Sequence, residues 1–149
     1  MLDLAPIVVR LRTRCVSMKD VDFAFNQTLA VEDIKRFPSM YVLQNSLNAG
    51  PQRAATQMHI QQITETFDVL LFISATGVGV ASSKRAEVLK DVAKAHTDEL
   101  EAALIGWTWS PYIQPLRIVR AQLVDLDQAR MILRHTFATD FEFRKTTTD

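Results

Sequence analysis

The spacing of apolar positions changes several times along the chain, and each change marks an element. Leu4, Ile7, Val8, Leu11 and Cys15 recur at helical spacing, which predicts a helix starting between Asp3 and Ala5. Asp3 can cap it, and Pro6 falls in the first turn, where a missing N–H costs little. Val21, Phe23 and Phe25 alternate with Asp22 and Ala24, the period of a short strand. A short helix capped by Thr28 is expected to run to Arg36. Pro38 stops it, because the residue before a proline avoids the helical region. Residues 39–44 read as a buried strand. Residues 45–56 contain Asn48, Gly50 and Pro51 and read as a long loop, of the kind that is functional or mobile. In the next strand, 61–74, Ile63, Phe67, Val69, Leu71 and Ile73 share one face. Leu70 and Phe72 make its second half apolar on both faces, so that end is expected to be covered twice.

Ser82 or Ser83 caps the longest helix, which runs to about Ile105 with Leu89, Val92, His96, Leu100 and Leu104 as its stripe. Lys84 and Arg85 come first, Glu99 and Glu101 last. That order opposes the helix dipole at a cost of about 1 kcal/mol or less, so packing must hold this helix. Gly106 ends it. Residues 107–115 form a loop rich in aromatics and proline, and 116–126 a strand. Asp127 and Gln128 make a hairpin turn into the cleanest strand, 131–143. There Met131, Leu133, Phe137, Phe141 and Phe143 point one way; Ile132, Arg134, Thr136, Asp140 and Glu142 point the other. The tail from Thr146 to Asp149 is expected to fray. The order predicts an α+β fold in two layers: a mostly antiparallel four-stranded sheet with the N-terminal helix and the long central helix packed on one face.

The 149 residues fit one domain, 1–149. A chain of this length buries roughly 70% of its unfolded surface, enough for its own core. The 17 basic and 17 acidic residues cancel, and each half is balanced as well, 7 against 7 in residues 1–80 and 10 against 10 in 81–149. A dedicated nucleic-acid binder needs a basic excess or stripe, so that class is disfavoured. Zero net charge favours association instead. The single cysteine rules out an internal disulfide and fits a reducing compartment. The N-terminus has neither the basic region nor the apolar run of a secretory signal, and residues 69–73 are far too short to span a membrane.

Candidate chemistry is sparse. Gly77, Gly79 and Ser82 follow a strand and precede a helix, the setting of a dinucleotide-binding turn. The third glycine is replaced by Ser82, and no later parallel strand ends in an acid for the ribose. A serine-capped loop explains the segment more simply. His59, His96 and His135 lack metal-ligand spacing, and the latter two fall in apolar series, as core histidines do. A serine–histidine–acid triad can assemble across space, but no Gly-x-Ser-x-Gly elbow is present. Asp20 with Asp22, and Asp125 with Asp127, are carboxylate pairs at strand ends, where Asp is a routine turn former. Cys15, near a helix C-terminus, reads as core. Trp107, Trp109 and Tyr112 read as a plug on the core or as a contact surface.

The order and spacing of the pieces resemble the small tail terminator (tail completion) proteins of long-tailed bacteriophages. The pieces are Leu-Ala-Pro-Ile-Val-Val-Arg-Leu-Arg at 4–12 and Phe37-Pro38-Ser39-Met40-Tyr41-Val42-Leu43 leading to Ala49-Gly50-Pro51-Gln52-Arg53. They continue with Gln-Gln-Ile-Thr-Glu-Thr-Phe-Asp-Val at 61–69, Ala103-Leu104-Ile105-Gly106-Trp107, and Phe137-Ala138-Thr139-Asp140-Phe141. The final hairpin departs from the pattern, with no glycine at its turn. The resemblance implies a non-enzymatic virion protein without cofactors, assembled in the bacterial cytoplasm. It implies a homohexameric ring that binds the last ring of the tail tube, stops its growth and receives the head connector, with DNA passing unbound through its lumen. Asn48, Gly50, Pro51, Arg53, Trp107, Trp109 and Tyr112 are the expected interface residues. Arg53 leads them, because arginine suits interfaces and bidentate pairing. A neck or head-completion protein of the same machine, and a small nucleotide-binding enzyme using the 77–82 turn, are the alternatives.

Overall fold

A computed structural model describes residues 2–34, 36–55, 58–74, 82–126 and 130–146. The elements run α1 (Ala5–Arg14), β1 (Asp20–Phe23), α2 (Gln27–Asp33), β2 (Ser39–Ala55), β3 (Met58–Ser74), α3 (Ser82–Leu104), β4 (Arg117–Leu126) and β5 (Arg130–Thr146). The Asp127–Gln128 turn and residues 147–149 lie outside the described residues, whereas Thr146 belongs to β5 and pairs with Met58.

The sheet has five strands in the order β1-β2-β3-β5-β4, not four. It is mixed, because β1 runs parallel to β2 while the other pairs are antiparallel. The extra strand is the short alternating run at 20–23. Its partner is reached only after α2 crosses over, as parallel pairing demands a crossover. Asn26, not Thr28, caps α2, its side chain accepting the Leu29 N–H, and the helix ends at Asp33 rather than Arg36. Asp3 accepts the Ala5 N–H at the start of α1, beside Leu4 in the cap position.

The largest correction concerns residues 45–56. Through Ala55 they are strand, the outer half of β2, paired with β3. Asn45 is the extra residue of a bulge between the Gln44–Phe67 and Ser46–Thr66 pairs. Its side chain donates to buried Asp68 at 2.9 Å, so the bulge serves a carboxylate. Gly50 and Pro51 occupy a second irregularity between Ala49 and Gln52, where proline's missing N–H breaks no ladder. A Cβ on Gly50 would lie 3.1 Å from the Gln62 carbonyl oxygen, so the glycine permits a close backbone approach. Residues with turn character thus sit in bulges of a long β2–β3 arm.

Alternation sorts the side chains onto two faces. One face gives Met40, Val42, Phe67, Val69, Leu71, Ile73, Met131 and Phe137 to a core that includes Ile7, Val8 and Leu11 of α1 and Leu89, Leu100 and Leu104 of α3. Ala93 is buried in α3, whereas Val92 is exposed, so the stripe runs through a small residue where the eye expects a large one. Tyr41, Leu43, Leu70, Phe72 and Ile132, on the other face, cluster with Ala30 of α2. Strand β3 is therefore covered on both faces over Phe67–Phe72. Asp68 lies among these apolar residues, satisfied by Asn45, by Thr136 Oγ1 at 2.7 Å and by Arg134 at 3.4 Å. Arg134 also donates to Gln27 of α2.

Phe67 and Phe137, fully buried on β3 and β5, stack with centroids 5.7 Å apart. Replacing Phe137 with alanine is expected to cost about 3–5 kcal/mol, read as a shifted midpoint in chemical denaturation. A loss under about 1 kcal/mol would contradict a rigid stack.

Candidate functional site

Three regions carry the residues singled out by the sequence, and they do not form one site. The first is the β2–β3 arm, which continues past the helices with β5 beside β3. Asn48 and Pro51 are exposed on it. Arg53 belongs to β2 and its backbone pairs with Ile60, but its side chain lies outside the described residues.

The second region follows α3. Gly106 adopts φ +79°, a left-handed conformation suited to glycine at a helix end. Its N–H donates to Leu116, and the Leu116 N–H donates back to Trp107, closing residues 106–116 into a pinned loop. Trp107 and Trp109, 5.2 Å apart, pack half-buried against the core. Arg10 lies 4.9 Å above the Trp107 ring, within cation–π range, and is held there by the Ala103 carbonyl.

Tyr112 does not join the tryptophans. It is 85% exposed and borders a third, concave region of about 830 Å³ with Ile60, Gln62, Gln114, Glu142 and Arg144. The loop reaches this surface through an Ile113–Phe141 bridge and the Gln114 N–H to Asp140 bond. Burial raises the Asp140 carboxyl, but hydrogen bonds from Thr64 and Arg117, with the Arg117 charge, hold it below the usual range.

The catalytic candidates disperse. His59 stacks edge-on against Phe143 on the arm. His135 is buried and faces Thr97 across 3.2 Å. His96 does meet a serine and an acid: Ser17 Oγ lies 3.4 Å from its Nδ1 and 2.9 Å from Glu99. The serine hydroxyl has the acid as its better acceptor, whereas a catalytic triad places the acid behind the histidine. Asp20 pairs with Arg36, and Asp22 accepts the Phe23 N–H with Arg12 3.9 Å away. Asp125 belongs to β4, and Asp127 and the turn at 75–81 lie outside the described residues. Burial, with Glu99 nearby, pushes the Cys15 thiol up to about 12, which makes it a core side chain rather than a nucleophile. Among the described residues no cluster of His, Cys, Asp and Glu fits a metal ion, and no helix is long and apolar enough to cross a membrane. Phe25 is 92% exposed, which its alternation with Val21 and Phe23 did not reveal, since that pattern suggested only a strand face.

Burial lowers the pKa values of His135 and His96, outweighing a backbone bond at Val69 and the charge of Glu99 respectively. The fold therefore favours their neutral forms. That contribution is complete above the unfolded value of about 6.5 and is lost as pH falls through the lower folded values. The thermal midpoint is expected to drop between about pH 7 and about pH 5, less steeply for His135→Gln. An unchanged midpoint across that window would contradict the burial of neutral histidine.

The sequence profile of the family described as phage tail terminator protein matches residues 1–148. A match over nearly the whole chain places it in that family, which is one of structural tail proteins. Comparison with curated proteins returns no match.

Proposed function

We propose that this member of the phage tail terminator family caps the tail tube as a ring of identical copies. The ring stops tube polymerisation and presents the surface that joins the head connector. The family match over residues 1–148 carries this reading. Three features of the chain support it. Its sheet ends in two unlike edges, β4 on one side and β1 with the outer half of β2 on the other. A closed ring needs a head-to-tail contact between two different patches, and unlike edges supply different surfaces. The long arm carries exposed polar residues away from the core, as a segment that reaches a neighbouring ring requires. The charge balance of 17 against 17 suits a conduit that lets DNA pass without holding it.

In this reading Asn48, Gly50, Pro51 and Arg53 on the arm, with Tyr112 and the concave surface beside it, meet the neighbouring tail components. Trp107 and Trp109 shape the flank between copies. A ring of six follows from the family resemblance, each copy acting as one domain.

Added to growing tubes of the cognate tube protein, the chain is expected to halt elongation and to decorate one tube end in electron micrographs. Arg53→Ala is expected to weaken end binding roughly tenfold. Tubes that lengthen unchanged would overturn the capping function, and an Arg53→Ala variant that caps like the wild type would remove Arg53 from the contact.

A further inference from the structure

Two surfaces of complementary shape lie apart on the molecule, one beside α2 and one beside α1. Phe25, between β1 and α2, is 92% exposed, and Phe23 and Leu29 near it are also exposed. Glu32 lines the same depression as Phe25 and Leu29, and Asp22 precedes them on β1 with Arg12 of α1 3.9 Å from its carboxylate. This is an apolar knob with Glu32 at its rim. A groove of about 520 Å³ runs between the outward side of α1 and Trp107. Pro6, Val9 and Trp107 give it an apolar floor, and Arg10 and Arg14 line it. Asp3 stands at one end, its carboxylate accepting the Ala5 N–H.

The flanks are fixed by two arginines. Arg10 donates to the Ala103 carbonyl of α3, and Arg12 donates to the Val21 carbonyl of β1. Residues two apart on a helix point roughly 200° apart. The groove therefore opens on the α3 flank of α1, and the knob stands beyond the β1 flank. One copy cannot seat its own knob in its own groove.

We propose that Phe25 of one copy inserts into the α1–Trp107 groove of the next, with Glu32 facing Arg14; this contact rests on the ring reading above. Charge complementarity selects the occupant, since Arg10 and Arg14 outnumber Asp3 in the groove and Glu32 borders the knob. Symmetry agrees with it. The two patches differ, so the contact repeats head to tail, as a ring requires and a twofold dimer does not. Seating the ring beside Trp107 removes roughly 150–250 Å² of aromatic surface from water. That is the scale of an anchor within a larger interface, whose remainder comes from the flanking strands.

Sedimentation velocity over a wide concentration range tests the contact. The wild type is expected to associate, and Phe25→Ala to need at least roughly tenfold more protein to do so, the loss expected of an interface anchor. Its thermal midpoint should stay unchanged, because the side chain is exposed. Arg14→Glu and Glu32→Arg should each impair association, and the double variant should restore it, since the exchanged charges meet again at every interface. A mixture of Phe25→Ala with Arg14→Glu should stop at one-to-one pairs, joined through the one intact knob and the one intact groove. A wild type that stays monomeric at every concentration overturns the ring reading and this contact together. A wild type that assembles alongside an equally assembling Phe25→Ala overturns the contact alone. So does a Phe25→Ala variant that assembles normally but loses tube binding, which would make the tube the occupant.

Discussion

The unbroken antiparallel ladder between β3 and β5 governs the rest of the structure. It runs from Met58–Thr146 to Ser74–Arg130 without a register shift, whereas the β2–β3 and β4–β5 ladders each carry two. Because side chains alternate, a slip of one residue would turn Phe67, Val69, Leu71 and Phe137 away from α1 and α3. The stacked phenylalanines pin the register near its middle. Outer strands can bulge because this central pair does not.

Two buried carboxylates mark where the covered part of the sheet gives way to the arm. Glu65 accepts the Leu2 N–H at 2.6 Å and a bond from Gln44, tying the N-terminal segment to the sheet. Asp68 draws in Asn45 and so places the first bulge of β2. A buried carboxylate must be satisfied by bonds within the protein, and here satisfying it shapes the backbone. Beyond these residues the strands leave the helices, and the chain offers polar, bulged surface suited to contact with other proteins.

The sequence made some of this legible and hid the rest for physical reasons. The alternation from Met131 to Phe143 marked β5 because one of its faces is core, and periodicity reports burial. Helix α3 was visible for the same reason, but its stripe was misplaced at Val92, since buried Ala93 adds little to a hydrophobic pattern. The outer half of β2 was hidden because Asn48, Gly50 and Pro51 have loop character taken singly, and only the partner strand reveals Asn48 as a paired residue and Gly50 and Pro51 as an irregularity between pairs. The parallel β1–β2 pairing was hidden because its partners are separated by α2 and share no local signal. Within the aromatic loop, the fold sends Tyr112 towards β3 and β5 of the arm and the tryptophans towards α1, a division that the loop's composition does not signal.

The family supplies the role of a structural tail protein; the chain supplies unlike edges, an extended arm and a knob matched to a groove. Together these support the proposed subunit, which meets a different surface of its own neighbour. The most direct test is the solution mass by light scattering at low and high concentration, with negative-stain images of the large species. The account expects a closed ring near six times 16.9 kDa. A stable dimer would contradict it, because a closed twofold interface uses the surface that a ring requires.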